Sequence, residues 1–460
     1  MNGRLLELAS VLGATLHGGD GDYRGASIDT RRLAPGALFF ALPGQHVDGH
    51  DFVARAASLG AAAVVVDRVV DSRVPQLEVA DVQAALQRAG AHARSRFQGT
   101  VIGVTGSNGK TTVKQMLAAI CGEAGTVLAT EGNLNNHLGV PLTLMRLDND
   151  VQYAVVEMGA NHAGEIAMLC ELARPDIGVV TNAGWAHLEG FGSRDGIAHA
   201  KGELFNSLAD DGVAILNTGD DYAGLWRDMI GDRRCLRFAL DAGVDVDVHA
   251  ADSHNDAGAS RFTLHAPDGD AKVQLPLAGA HNIANALAAA ATASALAIDV
   301  NAIARGLAAM ANVGGRMAVV AGRQGARIVD DSYNANPGSL AAALDWLATQ
   351  PEPRWAVLGD MGELGDYTAE AHRNAGSAAR EAGVARLWAT GENSRLTVEA
   401  FGAGGDWFAD HAALNTALIA ALEQATGNTT VLVKGSRGAR MDRVVDALRC
   451  ENNAGAGVSC

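Results

Sequence analysis

The stretch VIGVTGSNGKTT, residues 101–112, decides the fold of this chain. A short β-branched run ending at Thr105 reads as a strand, Gly106-Ser-Asn-Gly109 as a turn, and Lys110-Thr-Thr112 as the start of an apolar-periodic helix. Glycines at 106 and 109 let backbone N–H groups curl inward around an anion, and the helix N-terminus adds its partial positive charge. Thr105, Gly106, Ser107, Asn108, Gly109, Lys110, Thr111 and Thr112 thus form a phosphate cradle. In it Lys110 neutralises the outer phosphates and the Thr111 hydroxyl holds Mg²⁺. The common form of this loop has glycine where this chain has Val104, so the run is a shortened relative of it. A chance Gly-Lys-Thr in a loop is the plain alternative, and the strand before and helix after weigh against it.

The chain has 460 residues, enough for about three domains at roughly 100–200 residues each. Its 48% hydrophobic and 19% charged residues suit several globular cores. A formal net charge of −16 repels nucleic acid and anionic membranes, so neither is an expected partner. Five scattered cysteines, odd in number and without a C-x-x-C pair, suggest reduced thiols and a cytoplasmic protein. The N-terminus reads as an amphipathic helix, and the apolar run 286–297 is too short to span a bilayer.

Outward from the loop, strands alternate with helices. Residues 1–80 read as a compact α/β unit ending in the strand 62–67, and 81–97 as a helix. Short β-branched runs at 153–158, 177–181 and 213–217 separated by helical patterns imply a mostly parallel sheet. Runs at 261–265 and 272–275 flank Pro267-Asp-Gly-Asp270, a hairpin signal. Residues 281–311 read as helical, Gly314-Gly315 as a hinge, and 327–331, 354–358, 386–390 and 430–434 as strands of a third α/β unit. The small, polar stretch 452–460 reads as a frayed tail. The expected class is therefore α/β, with domains at 1–80, 81–313 and 314–460.

Several residues stand where chemistry gathers. Glu157 ends a buried strand beside the phosphate-loop strand, where it reads either as an Mg²⁺ ligand or as a strand-end salt bridge. His187, in Thr181-Asn-Ala-Gly-Trp-Ala-His-Leu-Glu189, reads either as a structural histidine or as a metal ligand or orienter. Lys201 is either a surface lysine or a buried amine able to capture CO₂ as a carbamate. Arg316 follows the glycine pair, where a hinge could swing it onto phosphates. Asp331-Ser-Tyr-Asn-Ala-Asn-Pro337 is either an Asx-bonded turn or a set of substrate contacts. Lys434-Gly-Ser-Arg-Gly438 forms an anion-friendly nest suited to a carboxylate. One ATP-type loop, acidic metal ligands and basic groups on a separate domain suggest that ATP activates a carboxylate for attack by a second substrate.

Along essentially its whole length the chain resembles the Mur ligases, ATP-dependent amide-forming enzymes of peptidoglycan precursor synthesis. TGSNGKTT, VVEMG, TNAGWAHLEGFGS, AKGELF, GAHNIANALAA and GGRM occur in the family's order. The resemblance implies an N-terminal UDP-sugar domain, a central P-loop ATPase domain and a C-terminal Rossmann-like domain that closes over both. It implies ATP as cofactor and two Mg²⁺ ions at Thr111, Glu157, His187 and Lys201, where Lys201 matches a lysine that is carbamylated in several family members and serves either so or as a plain lysine. Lys110, Glu157, His187, Lys201 and Arg316 would be catalytic. His281, Asn282 and Asn285 would line the adenine region and Asp331 the ribose. Ser27, Thr30 and Arg31 look like uridine-side contacts, and Asn135 and Asn136 like contacts to the muramoyl-peptide. Tyr333, Asn334, Asn336, Lys434, Ser436 and Arg437 would hold the incoming amino substrate. SIDTRRLAPGALFFALPGQHVDGHDF, EGNLNNHLGVPLTL, DDSYNANPGS, LGDMGELG and VKGSRGARM resemble the members that take UDP-MurNAc-tripeptide and D-alanyl-D-alanine as partners. A monomer is expected. Another Mur-type ligase, or a folylpolyglutamate synthase-like ligase, is the alternative.

Overall fold

Six short runs of mostly β-branched and apolar residues form the central sheet, in the order 234–238, 213–217, 177–180, 100–105, 153–157, 127–129, all parallel. Such strands are buried on both faces, which is why they read as continuous apolar runs rather than alternating ones. The computed structural model describes residues 2–44, 47–243, 245–255, 258–310, 314–425 and 428–450. One face of the sheet packs on the helices Lys110–Gly122, Ala280–Ala295 and Val300–Ala309. The other packs on Glu165–Ala173, Arg194–Asn206 and Ala223–Ile230. An antiparallel sheet of His249–Asn255, Ser260–Ala266 and Gly269–Leu275 is appended and shares the first core. The expected hairpin is its second and third strands.

Parallel register aligns the carboxyl ends. Glu157 lies opposite Val104, and Val180 opposite Thr105, so the chain leaves three adjacent strands at one level. Such ends, where connections diverge to either side, are where ligands settle in open α/β sheets.

The first domain carries a five-stranded sheet, 15–17, 76–78, 63–66, 38–40, 26–27, antiparallel only at its first pair. The helix Val82–Arg96 starts where the Asp81 side chain accepts from the Ala84 N–H. Val82, Ala85, Leu86 and Ala89 of that helix join the core of this sheet, and Leu142 and Met145 from the central domain join the same core. The third domain carries the strands Ala318–Ala321, Arg327–Asp331, Thr430–Lys434, Arg354–Gly359, Arg386–Thr390 and Gly405–Phe408 in that order. All pair in parallel except the first, which is antiparallel.

Two expectations need correction. The helix expected over 281–311 is two helices, broken at Ala297 with φ 57°. Asp299 starts the second by accepting from the N–H groups of Asn301 and Ala302, which meets donors a continuous helix would not leave open. Residue 311 lies outside the described residues, as does the expected tail at 452–460. Cys121, Cys170 and Cys235 are free, whereas Cys450 is disulfide-bonded rather than a thiol. Among the described residues no helix is long and apolar enough to cross a membrane.

Candidate active site

The phosphate loop is held open from outside itself. Gly106 and Gly109 adopt φ of 141° and 84°, backbone that side chains rarely tolerate. The loop hangs on the neighbouring strand end. Asn108 N–H donates to Asn182 Oδ1 at 3.0 Å, Thr181 Oγ1 donates to the Asn108 carbonyl at 2.6 Å, and Ser107 N–H donates to the Asn182 carbonyl at 3.0 Å. The Lys110 amine donates to the carbonyls of Gly106 and Ser107, at 2.7 and 3.2 Å, and so folds over the cradle it serves. Burial pulls its pKa below the ordinary lysine value, with nearby Glu157 pulling it back up. A Cβ at Gly109 would run into Asn285 Oδ1, on the helix that backs the loop. Left-handed strain of about 1–2 kcal/mol adds to that clash. Gly109→Ala is therefore expected to weaken ADP binding at least about tenfold, since roughly 1.4 kcal/mol is a decade. Calorimetric titration with ADP checks this, and unchanged affinity would remove Gly109 from the cradle.

A cavity of about 610 Å³ opens over the loop. From the central domain it takes Ser107 to Thr112, Asn135, Asn136, Glu157, Asn182, His187, His281, Asn282 and Asn285. From the third domain it takes Arg316, Asp331, Tyr333, Asn334, Asn336, Lys434 and Arg437. Most of the residues expected at one site thus share one wall. Ser27, Thr30 and Arg31 do not: they lie on the first domain, where Arg31 pairs with Asp29 at 2.7 Å and the Ser27 hydroxyl donates to the Asp29 carbonyl at 2.9 Å. Thr105 and Gly106 lie beneath the cradle, where the Thr105 hydroxyl donates to the Met158 carbonyl at 2.8 Å. Ser436 also stands outside the cavity lining, its N–H bonded to the Asp360 carbonyl.

Glu157 is 2% exposed, which makes the state of each oxygen matter. Asn135 Nδ2 donates to its Oε1 at 2.8 Å, while its Oε2 is buried with no hydrogen-bond partner. That oxygen is ion-paired with the Lys114 ammonium at 3.6 Å yet makes no hydrogen bond, and its place in a cavity wall also suits a hard cation. Among the described residues no three His, Cys, Asp or Glu side chains converge as a closed metal site. Lys201 is fully buried behind the Ala160 part of the wall, and its amine donates to the Ala160 carbonyl at 3.2 Å. Burial, helped by the Lys110 charge, lowers its pKa to about 7. The surface-lysine reading is thereby excluded.

His187 has a left-handed backbone, φ 60°, at the N-terminus of the short helix Leu188–Phe191. Its Nδ1 lies 2.5 Å from Glu363 Oε2 of the third domain. This contact holds the Glu363 carboxyl below its ordinary pKa. Beside it Trp185 stacks on Tyr367 with ring centroids 5.3 Å apart, and Glu189 N–H donates to the Glu363 carbonyl at 3.2 Å. Residues 185–189 and 363–367 therefore form a latch between the central and third domains.

A second junction crosses the cavity. Asn336 Nδ2 donates to Asn108 Oδ1 at 2.7 Å, while Asn336 Oδ1 caps its own helix through Ser339 N–H. Asn336 thus braces the phosphate loop. Arg316 Nη2 donates to Thr111 Oγ1 at 3.0 Å, and its guanidinium lies 4.2 Å from the Tyr333 ring centroid. Arg437 approaches the same ring at 5.1 Å. Lys434 is occupied: its amine pairs with Asp331 Oδ2 at 2.5 Å and donates to the Asn334 carbonyl at 2.9 Å. Near this pair is His281, whose burial lowers its pKa.

Sequence reasoning missed Lys114, Trp185, Glu363 and Tyr367. Lys114 sits four residues beyond Lys110 on one helix face, a spacing that could have flagged it. Glu363 and Tyr367 carry no such local signal, because their partners lie about 180 residues away.

A phosphate loop, a buried carboxylate and a basic wall from a second domain define a nucleotide-dependent ligase of the kind that couples three domains. The Mur ligase middle domain matches residues 104–293, the Mur ligase glutamate ligase domain 315–437, and the Mur ligase catalytic domain 22–97. The chain belongs to the Mur ligase family. It is 44% identical, over 97% of its length and 98% of the relative's, to the UDP-N-acetylmuramoyl-tripeptide–D-alanyl-D-alanine ligase of Escherichia coli K12. Its fold is similar to the crystal structure of MurF from Acinetobacter baumannii, with TM-score 0.89, 34% identity and 96% and 97% of the two chains covered. It is also similar to MurF ligase from Thermotoga maritima in complex with ADP, with TM-score 0.80, 28% identity and 92% and 96% covered.

Proposed function

We propose that this chain is an ATP-dependent ligase that joins D-alanyl-D-alanine to the terminal carboxylate of UDP-N-acetylmuramoyl-tripeptide. The products are the UDP-MurNAc-pentapeptide precursor of peptidoglycan, ADP and phosphate. The observation that carries this is the cavity in which the phosphate loop faces Asp331, Tyr333, Asn334, Asn336, Lys434 and Arg437 of the third domain. The names of the relatives above support the choice of substrates. Such nucleotide-linked substrates suit a cytoplasmic enzyme.

In the first step a carboxylate oxygen of the tripeptide attacks the γ-phosphorus and the bond to ADP breaks, leaving an acyl phosphate. Both partners are anions, so charge must be cancelled where they meet. Lys110 swings from the Gly106 and Ser107 carbonyls onto the outer phosphates, and Arg316, held on Thr111, supports it from the other side. Thr111, Glu157 and His187, with a carbamate on Lys201, would hold Mg²⁺. Bound there it supplies Lewis-acid charge to the phosphate oxygens. In the second step the neutral dipeptide amine attacks the acyl carbon, the tetrahedral centre collapses, phosphate leaves and the nitrogen loses its proton. The latch at 185–189 and 363–367 keeps water from the acyl phosphate.

Phosphate release measured with each substrate omitted in turn tests this reading. Release that requires both muramoyl-tripeptide and D-alanyl-D-alanine is expected. Release supported equally by glutamate and a pteridine, or by nucleotide alone, would overturn it.

A further inference from the structure

Lys114 is buried in the central domain, one helical turn past Lys110 and outside the cavity lining. Its amine donates to the Thr130 carbonyl at 2.8 Å and stands 3.6 Å from Glu157 Oε2, the oxygen without a hydrogen-bond partner. The two side chains are 1% and 3% exposed, so water screens neither charge. Thr130 holds both partners: its carbonyl takes Lys114, and its hydroxyl accepts from Glu157 N–H at 2.9 Å. A carboxylate so buried is costly without a countercharge. Glu157 lines the cavity while Lys114 does not, so the ammonium approaches the carboxylate from behind the wall.

We propose that Lys114 is a positioning residue of the Mg²⁺ site, a resident countercharge that balances Glu157 while the cavity holds no ion. This rests on the reading of Glu157 as a metal ligand. The arrangement has a cost with a definite sign. A cation already facing Glu157 repels a second one, so Lys114 weakens the grip on the ion and lets it leave with the products. Without Lys114 the lone carboxylate becomes dependent on the ion for its charge balance.

The test uses Mn²⁺ as probe, in the presence of ADP, with bound ion read by electron paramagnetic resonance and stability by thermal melting. K114M is expected to bind Mn²⁺ about tenfold more tightly than the unaltered chain, as removal of a close like charge demands. It should also melt lower without the ion and gain more on its addition. K114R, which keeps the charge, should behave as the unaltered chain. A merely structural lysine would lower the melting temperature equally with and without Mn²⁺, and equal Mn²⁺ affinity in K114M would overturn the inference. E157Q separates the two levels. If E157Q retains full Mn²⁺ affinity, the metal reading falls and the inference with it. If E157Q loses affinity while K114M is unchanged, only the inference falls. Should K114M fail to fold, the double variant K114M/E157Q, which leaves no lone charge, should fold, and its failure would equally overturn the inference.

Discussion

Lys110→Ala should lower turnover by at least about 10²-fold, the scale of removing one positioned charge from a developing anionic centre. The amine is the only side chain of the cradle that carries a full charge, and the carboxylate and γ-phosphate must be forced together there. It is tethered to two carbonyls of its own loop, Gly106 and Ser107. Those are hydrogen bonds to neutral acceptors, and exchange for phosphate oxygens strengthens each of them. The loss should appear chiefly in kcat, because charge cancellation is greatest once the new P–O bond begins to form. Steady-state kinetics with both substrates saturating checks this, with ADP affinity measured in parallel. Near-normal turnover would displace Lys110 from the reaction.

A second large effect is expected at Lys201. Its pKa of about 7 arises because full burial penalises the ammonium and the Lys110 charge opposes it. The neutral amine, the form that captures CO₂, therefore dominates above pH 7, whereas an ordinary lysine would stay protonated up to about 10.4. Activity should fall on CO₂ depletion and recover with bicarbonate. Lys201→Ala should lose at least about 10²-fold in turnover, in keeping with loss of a supporting ligand, and regain part of it with acetate or formate. A ¹³C carbamate resonance in protein equilibrated with labelled bicarbonate is the direct readout. Absence of both rescue and resonance would leave a plain lysine. The same group sets a sign for stability. With the folded pKa below the unfolded one, the unfolded chain binds the extra proton between about pH 7 and 10.4, so stability rises with pH through that window. The penalty is complete below pH 7. A carbamate would deepen the trend.

How much of this was legible in the sequence follows physical range. The parallel core strands read almost to the residue, with 213–217, 327–331, 386–390 and 430–434 found as expected. Buried strands advertise themselves by unbroken apolar runs, which need no partner to be seen. Ala318–Ala321 and Gly405–Phe408, edge strands of the third domain's sheet, were not recognised; their short runs give a weaker signal. The break at Ala297 was hidden inside an alanine-rich stretch that favours helix at every step, and only the Asp299 cap betrayed it. At the site, the phosphate loop and Glu157 were legible because strand ends and glycine turns are local events. The placement of Asn336 against Asn108 and of Glu363 against His187 was not. These contacts depend on how one domain docks on another, which no local pattern encodes.

The stacked Trp185 and Tyr367 join the two halves of the cavity by a contact that nothing covalent maintains. In the proposed reaction the substrates meet between those two domains, so each catalytic cycle would part and remake that pair. The fidelity of the enzyme then depends on timing. An acyl phosphate formed before the rings meet is open to water, and one ATP is lost with no peptide made. The ratio of phosphate released to amide bond formed becomes a gauge of closure. It should sit near one in the intact chain and climb in Trp185→Ala, even where the chemistry at Lys110 is untouched.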